Sequence, residues 1–288
     1  MTSLWYLLEM AQNRYALSER LIRAISGWTI HTQESIEGLI AEGVDINQAH
    51  GTLLPLHCAC MAGDSECIKL LIQNGAEVNA VDGYSRTALH YAAEKDSECT
   101  SLLLEYGADV NAPDGNDDTP LHWASFRNNA DCAKVLLKHH ASVDALDSNH
   151  DTPLSWASMK GNLECMMLLL EYGAEPNTIN CSGASPLLRV SNLFAMGLSR
   201  DRDLQCLNLL SRAIGQFDLR DLNGDFPRSV EGDAELKMIM TDLCCSPRYL
   251  RQQCRYNIRR SLMDGKRTRL VDRLPLPPPL QRYLLLNE

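Results

Sequence analysis

The 288-residue sequence predicts an all-α repeat solenoid with short β-turn loops, followed by a small helical module at the C-terminus. Three observations predict it. A leucine recurs as Leu56, Leu89, Leu121, Leu154 and Leu187, at steps of 33, 32, 33 and 33 residues. A period of that length marks stacked supersecondary units that share one continuous core. A cysteine recurs ahead of an apolar run as Cys67, Cys99, Cys132 and Cys165, with Cys206 in the same role. The period then lapses, and residues 246–288 follow a different pattern.

Taken in order, residues 1–34 carry apolar positions at Leu4 to Met10 and at Leu17, Leu21, Ile22 and Ile25. One or two helices there would cover the exposed face of the first repeat, as terminal repeats require. Residues 35–245 hold about six repeats, the first and last partial. Ser35 to Asn47 matches only the second half of a unit. The best-formed copy is Asp114 to Leu146, with its T-P-L-H-x-A entry. Thr at that entry suits an N-cap and Pro suits the first helical turn, where it has no N–H to lose. Gly75, Gly107 and Gly173 close the second helices in the left-handed region, while His140 takes that place in one copy. Other departures are Thr52, displaced by one residue, Ala88 for proline and Ser155 for histidine. Units of this period and signature resemble ankyrin repeats, each a β-turn followed by two antiparallel helices. Cys165 to Cys206 spans 41 residues, so the fifth copy carries an insertion of about eight near Ala195 to Arg202, predicted as a longer inter-helix loop. Asp221 to Pro227 reads as a sixth turn and Ala234 to Leu243 as its helix.

Composition sets the class. A hydrophobic share of 45% with 22% charged residues fits a folded soluble protein. No apolar run nears the roughly 18 residues of a membrane helix, and MTSLWYLLEM lacks the basic region of a signal peptide. Of the 11 cysteines, Cys67, Cys99, Cys132, Cys165 and Cys206 sit at the recurrent core position, and the set reads as reduced thiols rather than disulfides, which implies cytoplasm, and the nucleus as a second compartment. No short C-x-x-C pair offers zinc ligands, and no cofactor or metal is expected. His57, His90 and His122 stand one per repeat, too far apart to share an ion, and are expected to bond neighbouring loop backbone. Tyr91, Trp123 and Trp156 follow the histidine position and read as core. Cys99 near His90 is the nearest approach to a nucleophile–base pair, and both belong to the repeat pattern. From Pro247 on, ten Lys or Arg face three acidic residues; with a total of −10, the preceding residues carry −17.

The candidate binding surface follows from register. The residues after the small pairs Ala92-Ala93, Ala124-Ser125 and Ala157-Ser158 are Glu94 and Lys95, Phe126 and Arg127, Met159 and Lys160. Lys95, Arg127 and Lys160 would form a basic ladder on the concave face, with rungs on the order of 10 Å apart. The loop tips add Tyr84, Arg86, Asn116, Asp118, Asn149 and Asp151. On a body of net −17 this stripe favours an unidentified protein substrate with an acidic segment; a solvated helix face is the alternative.

In the tail, Leu250, Cys254 and Ile258 lie at i, i+4 and i+8 on one helical stripe, flanked by Arg251, Arg255, Arg259 and Arg260. A basic amphipathic helix can meet RNA or a membrane, but the proline-rich LPLPPPLQRYLLL that follows is no membrane design. The tail resembles a SOCS box, and the whole chain resembles the ankyrin repeat and SOCS box family. The resemblance implies that Leu250, Cys254 and Ile258 bind elongin C, with elongin B joining it. It implies that Leu274-Pro275-Leu276-Pro277 engages cullin-5, which brings a RING-box protein. Gln253 and Tyr249 depart from the family pattern at the elongin helix. The expected function is the non-catalytic, substrate-recognition subunit of a ubiquitin ligase that directs its substrate to proteasomal degradation. The alternative is an ankyrin scaffold or signalling inhibitor acting by binding alone. Asn79 and Asn111 stand in Leu-x7-Val-Asn contexts (Leu71, Leu103) that resemble hydroxylated ankyrin asparagines. Neither nucleic acid nor membrane is an expected partner.

Overall fold

A computed structural model describes residues 4–26, 35–197, 199–214, 225–245, 258 and 277–284. Among these residues the regular elements are helices, with two isolated β-bridges at turns, His50–Leu53 and Val81–Thr87. They fall into two compact units, one of residues 1–123 with 134–141, the other of residues 124–133 with 142–288.

The first unit begins with α1 (Leu4–Ile25), a single long helix where one or two were expected. It packs on α2 (Ile36–Ala41) and α3 (Pro55–Ala62) and buries Leu21 completely. Then come α4 (Ser65–Gln73), α5 (Ala88–Lys95) and α6 (Ser97–Glu105). First helix packs on first helix (α3 on α5) and second on second (α4 on α6). The chain continues through α7 (Pro120–Phe126) and α8 (Ala130–Lys138), which contribute residues to both units. The second unit holds α9 (Pro153–Lys160), α10 (Leu163–Glu171), α11 (Pro186–Met196), α12 (Arg200–Ala213), α13 (Arg228–Glu231), α14 (Ala234–Cys245) and α15 (Pro278–Leu284). There α9 packs on α11, α10 on α12, and α11 on α13 and α14.

The periodic leucines form the core: Leu89, Leu121 and Leu154 are fully buried and Leu187 nearly so. Each removes apolar surface worth about 1.5–3 kcal/mol from water. The recurrent cysteines pack beside them, and burial pushes the Cys67, Cys99 and Cys165 thiols up to about 12 and Cys206 to about 11. Second helices close as expected. At Gly75 (φ 96°) the N–H of Ala76 reaches back to the Leu71 carbonyl (3.0 Å), and Ala174 repeats this with Leu169 (2.9 Å). His140 adopts the same left-handed region at φ 69° without glycine's freedom.

The helix entries differ from a plain threonine cap. Thr152 Oγ1 does accept the Ser155 N–H (3.2 Å), and Ser185 Oγ that of Leu188 (3.2 Å). At Thr87 and Thr119 the histidine takes over: His90 Nδ1 and His122 Nδ1 accept the threonine N–H, each at 3.1 Å. The far nitrogen then bonds the next loop, His90 Nε2 to the Asp118 carbonyl (3.0 Å) and His57 Nε2 to that of Ala80 (3.2 Å). Both ring nitrogens of His90 are thus committed, which leaves no free base for Cys99. Burial holds the His57 and His90 pKa values below the ordinary 6.5. The native state therefore binds fewer protons than the unfolded chain once pH falls below that value. Stability is full above about pH 6.5 and declines beneath it by up to about 1.4 kcal/mol per pH unit per ring. Urea midpoints measured at about pH 7.5 and about pH 5.5 will show this drop, and His90→Gln will shrink it.

The insertion corrects one expectation. It is helical rather than a long loop. Relative to the preceding repeat, α11 runs three residues further and α12 begins four residues earlier before its cysteine, leaving Gly197 to Ser199 as the connection. The segment RDRDLQ has good helix formers and acidic residues in its first turn, which favour a helix start. Residues 215–224, which include most of the expected sixth turn, lie outside the described residues; α14 covers the expected helix.

Candidate functional site

The loops entering α5, α7, α9 and α11 are fingers, each folded by its leading side chain. Asp82 Oδ1 accepts the N–H groups of Tyr84 (2.7 Å) and Arg86 (2.9 Å). Asp114 does the same for Asn116 and Asp118, Asp147 for Asn149 and Asp151, and Asn180 for Ser182 and Ala184. The second oxygen of each aspartate is claimed by an aromatic nine residues on. Tyr91 Oη donates to Asp82 (2.5 Å), Trp123 Nε1 to Asp114 (3.3 Å) and Trp156 Nε1 to Asp147 (3.0 Å). The aromatics are half-buried and their polar ends tether the fingers, so they are neither a free platform nor purely apolar core. Burial opposes ionisation of Asp82, but the Tyr91 hydroxyl and two backbone N–H groups hold its carboxyl below the usual range. Burial and that same bond push the Tyr91 pKa up. Asp82, Asp147 and Asn180 were not singled out from the sequence.

In the first unit, Tyr84 is the open fingertip, at 65% exposure. Arg86 is not free beside it. Its guanidinium lies 3.9 Å from the Trp123 ring centroid and 5.9 Å from that of Tyr91, and its Nε is 3.4 Å from Asp114 Oδ2. Arg86 is a spoke inside the finger. Asn116 is exposed, whereas Asp118 is buried, which corrects its placing at the tip. Glu94 is half-exposed and Lys95 exposed, with the Lys95 stem against Gly63.

In the second unit, Phe126 meets Trp156 edge-to-face with centroids 5.5 Å apart. Lys160 Nζ stands 4.4 Å from the Phe126 centroid and Arg127 Cζ 5.8 Å. Met159 is exposed beside them. This is an apolar centre with a cationic rim, suited to apolar groups flanked by carboxylates. Asn149 is exposed at its tip, and its carbonyl accepts the Cys181 N–H (2.9 Å). Asp151 corrects a second expectation: it is buried, bound to Arg189 Nη2 at 2.6 Å and to Asn180 Nδ2 at 3.1 Å. It cross-links fingers rather than presenting charge.

Asn79 is exposed and spans two turns, donating to the Gly107 carbonyl (3.1 Å) and accepting the Asp109 N–H (2.8 Å). Asn111 is half-buried, its N–H on Asp109 Oδ1. Of the tail residues, Leu250, Cys254, Leu274, Pro275 and Leu276 lie outside the described residues. Ile258 has helical backbone and is exposed, and Pro277 is exposed ahead of α15. Among the described residues no helix is long and apolar enough to cross a membrane.

Comparison with known proteins agrees with this architecture. The family model for ankyrin repeats matches residues 21–114 and 112–180, and the family model for the SOCS box matches residues 246–285. Proteins called ankyrin repeat and SOCS box protein 8 are similar over the whole chain: the one from Mus musculus is 63% identical, those from Homo sapiens and Pongo abelii 62%. Each alignment covers 100% of this chain and 99% of the relative.

Proposed function

The chain belongs to the ankyrin repeat and SOCS box family, and from that premise we propose that it is the substrate-recognition adaptor of an elongin B/C–cullin-5 ubiquitin ligase. The observation that carries the reading is the SOCS-box match at 246–285, C-terminal to the ankyrin matches at 21–180 and enclosing both Leu250/Cys254/Ile258 and Leu274-Pro275-Leu276-Pro277. The first set seats a helix ridge in a groove of elongin C, where apolar anchors carry the affinity. The second engages cullin-5, and a RING-box protein brings the charged conjugating enzyme. The adaptor supplies no catalytic group, and Cys254 is a packing residue. Its contribution is effective concentration, since substrate lysines are held near the thioester. The reading places the protein in the cytoplasm and nucleus, where its thiols stay reduced.

The proposed substrate-binding residues are Tyr84, Glu94, Lys95 and Asn116 in the first unit and Phe126, Arg127, Asn149, Met159 and Lys160 in the second, with Arg86 and Asp118 shaping the fingers of the first and Asp151 those of the second. An acidic substrate segment would suit the cationic rim around Phe126. Lys95, Arg127 and Lys160 changed together to Glu will abolish substrate capture while elongin capture persists; unaltered substrate capture would dismiss this face. Asn79 and Asn111 are the proposed hydroxylation sites, and intact-mass measurement of the cell-derived protein will show added oxygen that vanishes in Asn79→Ala with Asn111→Ala. The ligase reading is tested by affinity capture of the full chain beside a form lacking 246–288. Elongins, cullin-5 and RING-box protein come down only with the full chain, and partners common to both are substrates. Full-length protein that brings down no elongin is instead a scaffold.

A further inference from the structure

The helical insertion has carried a capping residue into the body of a helix. Three residues ahead of each recurrent cysteine stands Asp64, Asp96, Asn129, Asn162 or Asp203. In the first three copies that side chain caps the second helix: Asp64 Oδ1, Asp96 Oδ2 and Asn129 Oδ1 accept the cysteine N–H at 3.0, 2.9 and 3.2 Å. In the fourth, Asn162 turns to the preceding repeat, and its Nδ2 donates to the Ser125 and Phe126 carbonyls at the end of α7, at 2.8 and 2.9 Å. In the fifth, α12 starts at Arg200, so Asp203 lies in its first turn and its own N–H bonds the Ser199 carbonyl at 2.9 Å. It no longer caps the helix.

Asp203 is 4% exposed. It abuts the end of α9, where a Cβ added to Gly161 would stand 3.3 Å from its Oδ1. Gly161 is the left-handed cap of α9, and the carbonyls that end a helix disfavour a negative charge beside them. By register, the Ser158 and Met159 carbonyls stand to Asp203 as those of Ser125 and Phe126 stand to Asn162. An amide donates to such carbonyls, whereas a carboxylate can only accept. Charged groups on the neighbouring elements are turned elsewhere. Arg202 points to Glu164 on α10 (3.3 Å), Arg200 to Asp233 and Glu235 beside and on α14, Arg189 of α11 to Asp151, and Lys160 of α9 to the Phe126 ring. Asp201, on the same turn, is exposed, and burial keeps the Cys165 and Cys206 thiols neutral. Burial likewise pushes the Asp203 carboxyl above the ordinary carboxylate range, against the pull of Arg202.

We propose that Asp203 is a proton-operated latch between α12 and α9: neutral, it donates a hydrogen bond to a carbonyl that ends α9, and ionised, it releases the start of α12. The arrangement is that of Asn162, with an acid proton in place of the amide hydrogen. The folded chain keeps this proton to a higher pH than the unfolded one, so the site adds stability as pH falls through the folded pKa toward the ordinary 3.8. His57 and His90 act in the opposite sense, and both belong to the first unit. Met159 and Lys160 directly precede Gly161, so the latch also governs how firmly that end of α9 is held. It is independent of what the tail binds.

The test is amide exchange of residues 200–206 in the full chain, with wild type, Asp203→Asn and Asp203→Ala compared at one pH at a time. The histidines are common to all three proteins and cancel in the comparison. At about pH 7.5, Asp203→Asn should exchange about fivefold more slowly than wild type, the ratio that one net hydrogen bond gives. Asp203→Ala, which removes the charge and offers no donor, should slow exchange less. At about pH 4.5, just above the ordinary carboxylate range, the gap between wild type and Asp203→Asn should narrow as the wild-type carboxyl takes up its proton. Exchange in Asp203→Asn no slower than in wild type at the higher pH overturns the latch. Equal slowing in Asp203→Ala and Asp203→Asn overturns the hydrogen bond to α9, and a gap that is the same at both pH values overturns its operation by a proton.

Discussion

Leu250→Ala with Cys254→Ala removes elongin C from the affinity-purified protein, lowering its capture about a hundredfold. Truncating an anchor seated at the centre of a groove costs about 2 kcal/mol or more, and two neighbouring anchors lose somewhat less than the sum. The loss should be confined to the tail. The repeats keep their own core, so the thermal midpoint of the ankyrin units stays where it was. Gln253 and Tyr249, which depart from the family pattern, should matter less, and Gln253→Leu should strengthen capture modestly. Stoichiometric elongin C on the double variant would remove the docking ridge, and with it the ligase assignment.

Asp151→Ala should be the costliest single change in the second unit's fingers. The side chain is 8% exposed and its partner Arg189 16%. Deleting it leaves a largely buried guanidinium without its carboxylate and frees the Asn180 amide that sets the next finger. Breaking a buried pair from one side costs about 3 kcal/mol or more, which lowers the midpoint by roughly 6–10 °C for a domain of this size. Asn149→Ala, two residues away on the exposed tip, should stay within about 0.5 kcal/mol of wild type. Equal melting of the two variants would contradict the cross-link. The node also accounts for a departure in the sequence. Ser155 replaces the histidine that elsewhere bonds the following loop, and in that copy the Asp151–Arg189–Asn180 contacts supply the tie.

Much of the repeat fold could be read from the residues alone, because period, caps and core positions are local and each is set by one physical demand. Leu89 must be buried, and Gly75 must turn left-handed. Asp118 and Asp151 were misplaced because an acidic residue at a loop tip ordinarily faces water. Here the leading aspartate turns the tip back on itself and carries them inward. The tether was nevertheless written in the spacing: Asp82 to Tyr91, Asp114 to Trp123 and Asp147 to Trp156 are all nine residues apart. A correlation between two common residue types goes unnoticed until the hydrogen bond gives it a reason. The insertion was legible as a length and not as a shape, since RDRDLQ is polar enough for a loop and helical enough for a helix. Arg86 reads as a surface charge, and only the placement of Trp123 makes it a packed spoke. The tail was legible as a SOCS-box motif, which the family match at 246–285 bears out.

The tethered fingers bear on how quickly a substrate could be held. Turns fastened by a phenol or an indole have little motion left to surrender when something lands on them. Capture should then proceed in one step, without a slow rearrangement trailing the encounter, and the dwell time should depend on the few side chains that meet the visitor.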